Sequence, residues 1–159
     1  MNGRFVCVSA RSGRVLVGRL LPGADLVPEL AALCASCGFA AGAVVSMVGS
    51  LAQATYFSVL PAPDTPCGLV YTDPVTVPGP LEIMSAQGTV GQDEAGNVTV
   101  HLHAAVMDGA GRGYGGHLAA VGNIVAATVE VFLLETEGVT LRRRYDSKTG
   151  FTLFSPARP

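Results

Sequence analysis

The stretch Val98-Thr99-Val100-His101-Leu102-His103-Ala104-Ala105-Val106-Met107-Asp108 alternates in character from Val98 to Ala104. On an extended chain, side chains two positions apart share a face. Val98, Val100, Leu102 and Ala104 therefore fall on one side, and Thr99, His101 and His103 on the other. One side needs a core, while the other presents two imidazoles together. The preceding segment, Leu81 to Val90, is also strand-like, and Gln92-Asp93-Glu94-Ala95-Gly96 has the composition of a turn. An antiparallel strand pair carrying a His-x-His motif is the expected centre of the fold.

Working outward, Phe5 to Ala10 and Val15 to Leu21 read as two alternating strands, with Arg11-Ser12-Gly13-Arg14 as a hairpin turn. Asp25 is placed to N-cap a helix. The apolar positions Leu26, Leu30, Leu33, Cys34 and Cys37 form its buried stripe, and Gly38 stops it. Ala43 to Val59 reads as extended, with a bend or bulge at Gly49-Ser50. Pro61 to Pro80 holds six of the ten prolines and reads as a loop with at most a short edge strand. A Gly-rich loop is expected from Asp108 to Gly116. Ile124 to Glu135, Val139 to Tyr145 and Phe151 to Phe154 complete the strands. The fold class is α+β: a largely antiparallel sheet of about seven strands with one or two packed helices.

The chain has 159 residues, 49% hydrophobic and only 14% charged, and 20 of them are glycine. That length suits a single domain, 1–159, with a core at about 5–154. The apolar content excludes a disordered chain. Ten basic against twelve acidic residues give a net charge of -2, which argues against naked nucleic acid as the main partner. So few charges leave apolar surface to be hidden in an oligomer. No charged residue occurs from Leu30 to Pro63, and Leu30 to Ala52 is long enough to cross a bilayer. Gly38, Gly42 and Gly49 divide that run, so a helix followed by a buried strand is expected instead, with no membrane association. The opening residues, Met1 to Cys7, show no secretory signal pattern. A cytoplasmic location with free thiols is expected.

The chain's three histidines, His101, His103 and His117, lie within seventeen positions. A permissive Gly-rich backbone before His117 lets it swing back over the strand that carries the other two. Three neutral imidazoles can approach one ion at metal–nitrogen distances of roughly 2.0–2.1 Å. Zn²⁺ suits such a set best among common metals, with Cu, Ni and Fe as alternatives. Three protein ligands leave a fourth position for water, a small ligand or a neighbouring subunit. The bland alternative is a solvent-facing pair of histidines.

Ala43-Val44-Val45-Ser46-Met47-Val48-Gly49-Ser50-Leu51 and Leu81-Glu82-Ile83-Met84-Ser85-Ala86-Gln87-Gly88 precede this motif. Gly115-Gly116-His117-Leu118, Val129-Glu130-Val131 and Arg144-Tyr145-Asp146 follow it. In that order and spacing, from about Phe5 to Leu153, the chain resembles the PPC domain family (plants and prokaryotes conserved domain, DUF296). The resemblance implies a compact α+β fold, a homotrimer, and a metal site at the positions of His101, His103 and His117. Plant members carry AT-hook DNA-binding segments. Here Pro156-Ala157-Arg158-Pro159 lacks the glycine of such a hook. DNA binding by that route is not implied. The biochemical role of free-standing prokaryotic members is largely undefined. The ligand pattern alone is also similar to that of acetolactate decarboxylase, an analogy that keeps a metal-dependent enzyme in view.

Glu82 and Arg144 are the candidate catalytic partners of a metal site, an acid beside metal-bound water and a cation for a carboxylate. Asp108 and Glu130 are weaker candidates of the same kind. The ordinary alternatives are a solvent-facing strand residue and a charged edge strand. Cys34-Ala35-Ser36-Cys37 sits late in a helix on its apolar stripe, so core packing is expected rather than redox chemistry. Gly109 to Gly116 lacks the helix that a phosphate loop needs, although Arg112 could reach an anion. A cupin would place a Glu soon after His103, where Ala104, Ala105, Val106 and Met107 stand. The leading expectation is a small cytosolic metal-binding protein that binds a small anionic ligand or partner at its three-His site. The alternatives are a decarboxylase- or hydrolase-type enzyme acting on a small carboxylate, and a DNA-associated regulator.

Overall fold

The computed structural model describes residues 4–159. The elements run β1 (Arg11–Leu20), α1 (Leu26–Ser36), β2 (Gly42–Phe57), β3 (Val59–Pro61), β4 (Leu69–Tyr71) and β5 (Val75–Gln92). They continue with β6 (Val98–Asp108), β7 (Gly113–Leu118), β8 (Ile124–Glu137), β9 (Thr140–Asp146) and β10 (Phe151–Ala157). Eight strands form one sheet in the order β1-β8-β2-β7-β6-β5-β9-β10, and β3 and β4 form a separate hairpin. Pairing is antiparallel except for one parallel contact, Gln92 to Arg142. The long strand β2 also pairs with β5. The strands β2, β7, β6 and β5 therefore close a circuit.

The helix forms where its stripe predicts. Leu26, Leu30 and Cys34 are fully buried, and Gly38, at φ +64°, ends the run as a left-handed residue that most side chains disfavour. Asp25 sits at the N-cap but does not cap with its side chain. Its carboxylate accepts the Gly122 and Asn123 amide hydrogens instead, at 2.6 and 3.1 Å, and so ties the helix start to the loop before β8. The core lies between α1 and the sheet. Phe39, Leu51, Leu81, Leu102, Val129 and Leu133 are among its fully buried side chains. No helix among the described residues is long and apolar enough to cross a membrane.

Several expectations need correction. Phe5 to Ala10 is not a strand, and the expected turn at Arg11–Arg14 lies inside β1. A register irregularity between Ser12 and Val15 absorbs it, and Arg14 reaches Glu135 on the neighbouring strand at 2.7 Å. The proline-rich segment holds the β3–β4 hairpin and the first part of β5, because Pro78 falls where β2 and β5 slip register and costs no regular ladder bond. The second half of the Gly-rich loop is strand β7. The strand count is accordingly higher than seven, within the same fold class.

Candidate metal centre

Strand β6 delivers two of the histidines. Val100, Leu102, Ala104 and Val106 are buried against the core. His101 and His103 consequently project from the opposite face, with their Nε2 atoms 3.0 Å apart. Two nitrogens on one tetrahedral ion, at bonds of roughly 2.0–2.1 Å, stand roughly 3.3 Å apart. The pair is thus close to the spacing of two ligands on one cation.

Strand β7 delivers the third. His117 lies in register with His103 on one side and with Phe57 of β2 on the other. This placement depends on Gly115 and Gly116. A Cβ on Gly115 would collide with the Ala104 carbonyl oxygen, and one on Gly116 with that of Phe57. With neither present, β7 fits between its neighbours. The rings of His101 and His117 come to 4.4 Å between centroids, and those of His103 and His117 to 5.2 Å. One nitrogen from each of the three lies within 4.8 Å of the others.

The surroundings of His101 and His117 favour their neutral form, the one that ligation requires. Burial lowers the pKa of His117 to about 4, helped by the charges that His101 and His103 would carry and by Arg143. Burial also lowers that of His101, with His103 and Arg143 contributing. The donor set, three imidazole nitrogens with no carboxylate, fits a borderline ion such as Zn²⁺. A cavity of about 360 Å³ opens above it, lined by Phe57, Ser58, Val59, Tyr71, Gly116 and the three histidines.

Among the acids considered from sequence, Glu82 pairs in register with Met107 and lines a different concavity with Asp108 and Gly109. Asp108 is engaged within its own loop. Its carboxyl is held down at about 2, first by the Arg112 backbone amide, and it also binds the Arg112 guanidinium at 2.7 Å and the Tyr114 hydroxyl at 3.1 Å. Glu130 is exposed, opposite Arg19 and Val48. Arg144 is exposed, whereas the arginine whose charge reaches His101 and His117 is its neighbour Arg143. Adjacent strand residues take opposite faces. Cys34 is buried in the core, and burial pushes its thiol up to about 11, as suits an inert packing residue. Sequence reading missed Arg143 and Tyr71. The parity of the Arg142–Arg144 run offered a signal for the first, and nothing local did for the second.

A family model described as the Plants and Prokaryotes Conserved (PCC) domain matches residues 8–137. The chain belongs to this family. Among curated proteins, the bifunctional protein GlmU of Synechococcus sp. (strain JA-3-3Ab) is 37% identical over 149 residues, covering 94% of this chain and 21% of that protein. The GlmU of strain JA-2-3B'a(2-13) is 35% identical over 133 residues, covering 84% and 18%. The PCC chain thus spans about a fifth of the length of the curated relatives it matches.

Solved structures agree on the fold. A metal-containing protein from Archaeoglobus fulgidus aligns with TM-score 0.80 at 26% identity, covering 95% of this chain and 99% of that one. A plant- and prokaryote-conserved (PPC) protein from Pyrococcus horikoshii aligns at 0.79 and 23%, covering 98% and 100%. A Bacteroides thetaiotaomicron protein provisionally described as DNA-binding aligns at 0.73 and 20%, covering 92% and 96%.

Proposed function

We propose that this PCC-domain protein holds one divalent cation, zinc first, on His101, His103 and His117, and offers the remaining position to a small anionic ligand. The supporting observation is the convergence of three imidazoles, drawn from two strands, to within 4.8 Å. The metal-containing Archaeoglobus relative points the same way. When bound, the ion supplies a Lewis-acidic position at the floor of the cavity. The charge of Arg143 reaches His101 and His117 and adds positive potential, and Phe57, Val59 and Tyr71 form apolar and aromatic walls. An anion with a small apolar body matches that combination.

A binding module is better supported than an enzyme. Among the described residues, the cavity lining holds no carboxylate to act as a general base. Glu82 and Arg144 remain the partners an enzyme reading would invoke, and neither lines this cavity. The match to about a fifth of each bifunctional GlmU also suits a module that can be carried within a longer protein. The reading includes self-association, with a homotrimer first, and a cytoplasmic setting. Val15, Val17, Val48, Met84 and Phe132 are exposed on the sheet, an apolar surface that a second copy would cover.

Metal content of the purified protein, measured beside a His103→Ala variant, tests the site. About one ion per chain in the wild type and a strong loss in the variant are expected. Equal metal in both would remove the site from consideration.

A further inference from the structure

A metal-bound imidazole gives one ring nitrogen to the ion and needs an acceptor for the N–H on the other. His101 and His103 turn their Nε2 atoms toward each other. His117 has its Nδ1 atom 3.3 Å from the hydroxyl of Tyr71. Among the described residues, Tyr71 is the side chain from outside the trio that hydrogen-bonds one of its members. With Nδ1 engaged in this way, Nε2 is the nitrogen of His117 left for a cation.

Tyr71 is not a chance neighbour. It ends the β3–β4 hairpin, which β2 and β5 hold over the cavity. At the base of that hairpin, the Ser58 amide donates to the Thr72 hydroxyl at 3.1 Å and the Thr72 amide to the Ser58 carbonyl at 3.0 Å. The Tyr71 ring packs edge-on against His117 at 5.3 Å and against Phe151 of β10 at 4.9 Å, and lies 5.8 Å from Phe57 of β2. Three separate elements thus hold one phenol against one histidine. Phe151 lies beyond the residues the family model covers, so part of this support comes from the C-terminal hairpin.

We propose that Tyr71 is a positioning residue of the metal centre: its oxygen accepts the Nδ1–H of His117 and so turns Nε2 toward the ion. The proposal rests on the metal reading above and deepens it. A phenol oxygen can serve as that acceptor, because it both donates and accepts. Loss of such an outer partner typically weakens metal binding by roughly 10- to 100-fold.

The test compares zinc affinity, by competition with a chromophoric chelator, for wild type, Tyr71→Phe and Tyr145→Phe. Tyr145 is exposed and serves as the control for loss of a phenolic oxygen. Tyr71→Phe keeps the ring and its packing, and is expected to bind the same one ion per chain about tenfold more weakly or worse. Tyr145→Phe is expected to match wild type. Long-range proton–nitrogen correlation spectra of the zinc-loaded wild type are expected to show His117 protonated at Nδ1 and metallated at Nε2. That spectrum needs no variant, so a poorly folding Tyr71→Phe leaves the proposal open to refutation. Wild-type affinity in Tyr71→Phe, or zinc on Nδ1 of His117, would overturn the role of Tyr71 alone. A wild type that takes up no zinc would overturn the metal reading and this proposal with it.

Discussion

The two faces of β6 obey one alternation and meet different fates. Inward, Val100, Leu102, Ala104 and Val106 disappear into a core built from α1 and the sheet. Outward, His101 and His103 stand half-exposed or exposed, face each other and meet His117 of β7. The inner face is sufficient for folding, because burying apolar area needs only volume and shape. The outer face is specific, because each ring needs a particular partner at a particular distance. Stability and function are thus separated across the thickness of a single strand.

The sharpest way to break this separation is Leu102→Ala. A fully buried leucine cut to alanine costs about 2–5 kcal/mol, read from urea denaturation. The molecules that remain folded are expected to keep their metal capacity, since the lost side chain points away from the histidines. A smaller effect comes from pH and belongs to the outer face. In the metal-free protein the folded pKa of His117 lies at about 4 against an ordinary 6.5, and that of His101 is lowered too. The unfolded chain therefore takes up protons first as pH falls. Stability is expected to be intact above about pH 6.5 and to decline toward pH 4. The double variant His101→Gln/His117→Gln should flatten that decline in thermal unfolding scans; an unchanged slope would place the titrating groups elsewhere. The smallest effect concerns Arg143. Arg143→Gln removes a positive charge acting on His117, so the ring's titration midpoint, followed by NMR, should move up slightly. Arg144→Gln should leave it in place.

The same contrast marks what could be read from sequence. The inner face of β6 was legible because hydrophobic alternation is local. The His-x-His pair was legible for the same reason, and the helix stop at Gly38 because left-handed backbone favours glycine. Strand β7 was read as a loop because Gly113 to Leu118 carries no alternation. Its extended form is imposed by β6 and β2, which accept it only because Gly115 and Gly116 lack side chains. Alternation along β9 sets Arg143 apart from Arg142 and Arg144, but which of the two faces meets the histidines follows from pairing register, which a run of three arginines does not encode. Tyr71 was invisible for a related reason. Its contact with His117 spans 46 positions, and a hairpin in a proline-rich segment brings it about.

The closed circuit of β2, β7, β6 and β5 has a final consequence. Small zinc modules acquire their shape from the ion and lose it to a chelator. Here the three candidate donors are mounted on a hoop of strands joined by backbone hydrogen bonds, which needs no ion among its links. On the proposed metal reading, a chelator is therefore expected to leave the far-ultraviolet circular dichroism spectrum unchanged. Choice among ions would then rest with a gap set by the strands, and not with a chain that remoulds itself around each guest.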